Sequence, residues 1–206
     1  MPKLKLTYFD IHGGRGEPAR LAMHIGGVDF EDNRISFQQF GDTRSSFPFN
    51  RVPMLDIDGI EVSQCNAINR YLGKLAGLYP TDPLQAAFCD EAMDAVEDIV
   101  SQVVATFPIK DEAEKKAARQ ALADGPIAVY LQQLQALLEA RGGEYFADGR
   151  LTVADLKVMV WVRSLRSGIL DHIPQDLPDN VAPLLVEHLA RIESHPKVRE
   201  YYDRFS

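Results

Sequence analysis

The sequence predicts an α/β unit followed by an all-helical unit, a class of α/β plus all-α. Three observations carry this. Residues 3–76 alternate short period-2 hydrophobic patterns with period-3.6 ones. The stretch GLYPTDP, residues 77–83, then interrupts the chain with two prolines. Beyond it every apolar pattern has helical spacing and no strand pattern returns. The units are therefore drawn at residues 1–79 and 80–206.

Each element follows from its residues. Lys3–Phe9 alternates and reads as a strand. Glu17–Gly26 reads as a helix, opened by Pro18 and stopped by Gly26-Gly27. Phe30–Phe37 reads as a second strand. Pro53–Ile57 and Ile60–Ser63 form a hairpin, because Asp58-Gly59 supplies the positive φ a tight turn needs. Asn66–Ala76 places Ala67, Ile68, Tyr71, Leu72 and Leu75 on one helical face. The first unit is thus β-α-β, a connection, then β-β-α. Helices follow over Ala86–Thr106, Ala113–Ala140 with a kink or division at Pro126, Val153–Gly168, Val181–Glu193 and Lys197–Arg204. Thr152 and Asp155, three apart before an apolar run, match a capping box with Asp in place of Glu. They read as a helix start, not as a catalytic pair.

Composition removes several classes of function. The chain has 206 residues, 46% hydrophobic and 25% charged, with a net charge of −8. An acidic chain without a basic cluster is a poor partner for nucleic acid or an anionic membrane. No apolar run approaches the roughly 20 residues of a membrane span. The start, MPKLKLTYFD, lacks the apolar stretch of a signal peptide. Cys65 and Cys89 have neither metal nor redox spacing, and the five histidines form no HExxH pair. The expectation is a cytoplasmic protein that requires no metal.

LTYFDIHGGRGEPAR, residues 6–20, sets a phenol beside a glycine bend, and three readings compete. Gly14-Arg-Gly-Glu-Pro-Ala19 satisfies G-x-G-x-x-A, the dinucleotide fingerprint. However, Asp10–Gly13 intervene after the strand, Glu31 and Asp32 lie near the start of the next one, and a hairpin follows instead of a parallel sheet. In the second reading Tyr8 is a core residue and the glycines make a turn. The third draws on RVPML and SQCNAINRYL, which set Pro53 before a strand and Ser63, Gln64 and Cys65 at a helix start. A cis bond before Pro53 would turn the backbone of Val52 outward to pair with an extended peptide. Free N–H groups at the helix start suit a carboxylate, and Arg15, Arg44 and Arg51 offset further negative charge. Together these describe a slot for a short, anionic, peptide-like ligand with a thiol near Tyr8.

KLTYF, GRGEPAR, FEDNRISFQQF, FNRVPMLDIDG, SQCNAINRYL and LTVADLKV carry a resemblance over essentially the whole chain. It resembles the cytosolic glutathione transferases, most of all the sigma class, which includes glutathione-dependent prostaglandin D synthases and the lens S-crystallins. The resemblance implies a thioredoxin-like N-terminal domain, a helical C-terminal domain, a homodimer, and glutathione as co-substrate. Tyr8 matches the catalytic tyrosine, whose hydroxyl would donate to the glutathione sulfur, and Arg15 matches an arginine near that sulfur. Phe40 stands where relatives carry a tryptophan at the glycyl end, and Arg44 where they carry a basic residue. Arg51 and Val52 match the pair before the cis-proline, Pro53. Gln64 and Cys65 match the positions that hold the γ-glutamyl group, with Cys65 replacing the usual serine. Glu97 or Asp98 would reach the γ-glutamyl amine in the second subunit, and Phe49 stands at an interface position. The electrophile pocket is expected between the domains, with Phe9, Gly14, Val103, Val104, Phe107, Tyr202 and Phe205 as walls. Asp90, Asp94, Glu97 and Asp98 read as a solvated acidic face in preference to a divalent-ion site.

The chemistry has a definite size. A thiol with a pKa of about 8.5 must be lowered by ~2 units, which needs roughly 2.7 kcal/mol. One hydrogen bond to a charged group contributes about 1.5–3 kcal/mol, so Tyr8 alone can supply most of it. Three functions are weighed: conjugation of glutathione to hydrophobic electrophiles, isomerisation to prostaglandin D, and non-enzymatic carriage of hydrophobic ligands in the manner of a crystallin.

Overall fold

The computed structural model describes residues 2–205, so the terminal residues 1 and 206 of the two expected units lie outside it. Four strands make one mixed sheet: β1 (Leu4–Phe9), β2 (Glu31–Ile35), β3 (Met54–Ile57) and β4 (Ile60–Ser63), in the order β2-β1-β3-β4. β1 and β2 are parallel, and the other pairs are antiparallel. The parallel pair is bridged by α1 (Glu17–Gly26), because parallel strands need a crossover. Asp58 and Gly59 both take positive φ at the hairpin, as a primed turn requires. Leu4, Leu6 and Leu55 leave the sheet on one face and meet Ala19, Met23, Ile68 and Leu72 of α1 and α3 (Cys65–Leu75). This is a thioredoxin-like unit.

In the sheet unit, α2 (Phe37–Thr43) was not anticipated. The second strand stops at Ile35, and Ser36 caps α2 through a capping box with Gln39. Short 3₁₀ turns at Arg44–Ser46 and Pro48–Asn50 lead from it to β3. None of α2 or these two turns has a buried side chain.

The second half is helical: α4 (Pro83–Val104), α5 (Glu112–Leu122), α6 (Ala128–Ala140), α7 (Val153–Arg166), α8 (Leu177–Val181), α9 (Pro183–Ser194) and α10 (Pro196–Asp203). Pro126 sits in a π-helical turn, Ala123–Ile127, that joins α5 to α6, so it divides the expected long helix. Residues 151–162 are all buried, which makes α7 the central helix. It packs on α4 and α9, and also on α1 of the sheet unit. Its start is the expected capping box. Asp155, fully buried, accepts from Thr152 N and Oγ1 at 2.7 Å each, from Phe146 N at 3.0 Å and meets His188 Nε2 at 3.0 Å. Among the described residues no helix is long and apolar enough to cross a membrane.

Candidate active site

Tyr8 stands on β1 with its ring buried beneath the bend that leads into α1. Two glycines explain why the bend can lie there. A Cβ on Gly14, whose φ is +68°, would fall 2.5 Å from Tyr8 Oη, and one on Gly16 would fall 2.4 Å from the ring. Arg15 lies between them in a 3₁₀ turn, and its backbone N–H donates to Tyr8 Oη at 2.9 Å. The phenolic oxygen is therefore an acceptor from the backbone, while its own proton is available to a ligand. Burial pushes the phenol up to about 12, against the opposing pull of the Arg15 N–H and guanidinium. Tyr8 is thus a protonated donor at neutral pH.

The Arg15 side chain crosses to the helical unit. Its Nε donates to Glu97 Oε1 at 2.7 Å and its Nη2 to Ser101 Oγ at 3.1 Å, both on α4. The other Glu97 oxygen accepts from Cys65 Sγ at 3.0 Å and from Lys157 Nζ at 3.0 Å. Lys157, from α7, also donates to Cys65 Sγ at 3.3 Å and to Asn66 Oδ1. Burial alone would raise the Glu97 carboxyl, but the Lys157 ammonium, the Cys65 thiol and Arg15 hold it at about 2. Burial raises the Cys65 thiol, which Lys157 partly opposes. Tyr8, Arg15 and Cys65 are thereby brought to one seam between sheet and helices.

Around this seam lie the remaining predicted residues. The Val52–Pro53 bond is cis. Val52 and Pro53 are buried and Arg51 is exposed, and the β1–β3 pairing ends at Thr7–Met54, short of Val52. Gln64 takes φ +75° immediately before α3 and is exposed. Strained backbone of this kind costs about 1–3 kcal/mol and clusters at ligand clamps. Phe40 belongs to an aromatic row with Phe9, Phe37 and Phe47. Arg44 lies over Phe40 and donates to the Asn50 carbonyl at 3.1 Å, beside an open hollow of about 400 Å³ lined by Asp42, Arg44 and Asn50.

The predicted electrophile walls differ in their settings. Gly14 is against Tyr8, Phe9 faces α2, and Val103 is 2% exposed in the helical core. Val104 is half-buried, and Phe107 is exposed beneath the Arg119 guanidinium. Tyr202 carries Arg163 over its ring at 3.8 Å, and Phe205 meets His12 with ring centres 4.0 Å apart and the planes tilted by 37°. Asp98 is exposed on α4, whereas its neighbour Glu97 turns into the seam. Asp90 and Asp94 are paired with Arg70. Phe49 is exposed with φ +56°.

Lys157, Ser101 and Asn66 were missed as participants. Lys157 is a lone cation in the apolar run VADLKVMVWV, and that isolation was the available signal. Ser101 lies one turn beyond Glu97 on α4 and gave no signal of its own. Glu17, the first residue of α1, is another buried acid: burial pushes it up to about 7 against the counter-pull of Arg20.

The fold and this seam define a class: a thioredoxin-like domain whose strand-borne phenol lies under a glycine bend, joined to an all-helical domain. The family of the glutathione S-transferase N-terminal domain matches residues 4–74, and that of the C-terminal domain matches residues 97–204. The chain is similar to glutathione S-transferase 1 of Ascaris suum, 31% identical over 204 residues, covering 98% of this chain and 96% of that one. It is similar to the haematopoietic prostaglandin D synthase of Gallus gallus, 28% identical over 204 residues, covering 99% and 97%. The solved structure of prostaglandin synthase D of Nilaparvata lugens superposes with a TM-score of 0.86 at 30% identity, covering 98% of both chains. The chain belongs to the glutathione S-transferase family and is a glutathione transferase, with glutathione as the family's co-substrate.

Proposed function

We propose that this protein conjugates the glutathione thiolate to hydrophobic electrophiles, with the Tyr8 hydroxyl donating to the sulfur. One observation carries the reading: Tyr8 Oη is satisfied as an acceptor by the Arg15 N–H and keeps its proton, with the phenol pushed up to about 12. Such a group stabilises an anion by donation and does not act as a base. Arg15 adds positive charge beside it. The γ-glutamyl group is read onto Gln64 and the N-terminus of α3 at Cys65, the peptide backbone onto Val52 beside Arg51 and Pro53, and the glycyl end onto Phe40 and Arg44. Asp98 and Phe49 are read as contacts with a second subunit of a homodimer. Phe9, Gly14, Val103, Val104, Phe107, Tyr202 and Phe205 are read as the walls of the electrophile pocket. Residues 1–79 form the glutathione-binding domain and residues 80–206 the domain that supplies the electrophile pocket, in a cytoplasmic enzyme of the sigma class.

The test is a titration of the bound sulfur, followed by thiolate absorbance on adding glutathione to the full chain, beside conjugation of a generic aryl halide. The reading expects a bound thiol that ionises ~1–2 pH units below the free one. A thiol that titrates as free glutathione does would overturn it.

A second reading, isomerisation of a prostaglandin endoperoxide to the D form, draws on the likeness to two prostaglandin D synthases. It uses the same thiolate. Product formation from the endoperoxide, dependent on glutathione, is its test.

A further inference from the structure

Lys157 is 5% exposed within the wholly buried stretch of α7, where every neighbour in sequence is apolar or a cap. A buried ammonium is costly, and well-packed apolar residues serve stability as well or better. All three of its donors are nevertheless engaged across the seam, on Glu97 Oε2, Asn66 Oδ1 and Cys65 Sγ.

We propose that Lys157 is a positioning residue of thiol activation, acting through Glu97 on Arg15. This rests on the assignment of Tyr8 and Arg15 to the sulfur. Geometry supplies the first part of the argument. Glu97 divides its two oxygens, with Arg15 Nε and Ser101 Oγ on Oε1 and Lys157 and Cys65 on Oε2. Fixing Oε2 fixes the plane of the carboxylate, and with it the place where the Arg15 guanidinium is held. Charge supplies the second part. Two cations face one carboxylate, so the cluster keeps one surplus positive charge beside the phenol that meets the thiolate. Without Lys157, Glu97 would neutralise Arg15 and the surplus would vanish. A further acid, Asp94, is reached through Asn66 Nδ2 and is paired with Arg70, which also holds Asp90. Asp94 and Asp98 are exposed, so water and salt screen them more than they screen the partly buried Arg15–Glu97 pair.

The test uses the full chain and the pH dependence of kcat/KM for aryl-halide conjugation. In Lys157→Gln, and in Lys157→Met, the pKa governing kcat/KM rises by about one unit, a roughly tenfold loss on the acid side. Lys157→Arg keeps the charge and most of the wild-type profile. In an Arg15→Met background, Lys157→Gln costs nothing further, because both act on one element. Thermal unfolding identifies any variant that fails to fold, and the Gln and Met substitutions provide two independent neutral replacements. A folded Lys157→Gln protein with the wild-type profile, or an equal loss in both backgrounds, overturns the proposal. Those results leave the wild-type chemistry standing. A wild type without glutathione turnover overturns the functional reading together with this one.

Discussion

Replacing Tyr8 by Phe removes one oxygen that is engaged on one side and offered on the other. On the offered side, the sulfur loses a charge-assisted hydrogen bond worth about 1.5–3 kcal/mol. At about 1.4 kcal/mol per pKa unit this raises the bound thiol by ~1–2 units. At neutral pH, where a thiol near 6.5 is mostly ionised and one near 7.5–8.5 mostly not, the ionised fraction and with it turnover fall by about three- to twenty-five-fold. On the engaged side, the Arg15 N–H, 2.9 Å from the lost oxygen and partly buried, is left without its acceptor. That costs about 1–3 kcal/mol of stability, a drop in Tm on the order of 2–12 °C for a chain of this size. The assay is a pH–rate profile of aryl-halide conjugation for wild type and variant, with glutathione affinity measured separately. The expected variant binds glutathione with little change and shows a governing pKa shifted upward. A folded Tyr8→Phe protein with the wild-type pKa and turnover would refute the reasoning. A lost affinity with unchanged turnover would instead make Tyr8 a binding residue only.

Three further outcomes follow from the same geometry. Gly16→Ala places a Cβ 2.4 Å from the Tyr8 ring; overpacking of this kind costs about 1–3 kcal/mol and displaces the phenol, so both Tm and turnover fall, and a retained kcat would count against the close fit. Asp155→Ala strips the acceptor from Phe146 N, Thr152 and His188 and costs about 3–5 kcal/mol, read as a Tm lowered by roughly 6–20 °C, while kcat of the folded fraction stays the same. Glu17 ionises near 4.5 when unfolded but at about 7 in the fold, because burial outweighs Arg20. The folded state therefore binds the extra proton between those values, and stability falls as pH rises from about 4.5 to about 7, by about 3 kcal/mol in all. Glu17→Gln removes that slope, so its Tm exceeds the wild type's at pH 8 but not at pH 5; parallel Tm curves for the two proteins would exclude the effect.

Local signals carried much of the fold. Glu17–Gly26 was legible to the residue because Pro18 and Gly27 mark its two ends, and the hairpin because Asp58-Gly59 permits one turn type. α2 was not, since Phe37 continues the alternation of the strand before it. Its signal was the Ser36–Gln39 box, which acts only once the chain has turned. Pro126 announced a break but not its form as a π turn. At the site, Tyr8 and its glycines are near in sequence, and their relation was readable as a phenol beside a bend. The seam was not readable. Glu97, Lys157 and Cys65 are 32 to 92 positions apart, and their contact exists only because α3, α4 and α7 dock. A lysine inside an apolar helix shows that something polar must meet it, without showing what.

The segment from α2 through Asn50 has a consequence for how a tripeptide is held. With no side chain fully withdrawn from water, it draws its order from one cap, an aromatic row and the Arg44–Asn50 bond. Such a stretch opens at low free energy while the rest of the protein stays shut. Whatever docks against Phe40 and Arg44 must first still it, and part of the gross attraction is consumed in that ordering. Amide exchange would register this as protection gained on binding in residues 37–50, ahead of any change in the buried strands, and on the proposed assignment of Phe40 and Arg44 the glycyl end of the ligand would be the last to settle and the first to leave.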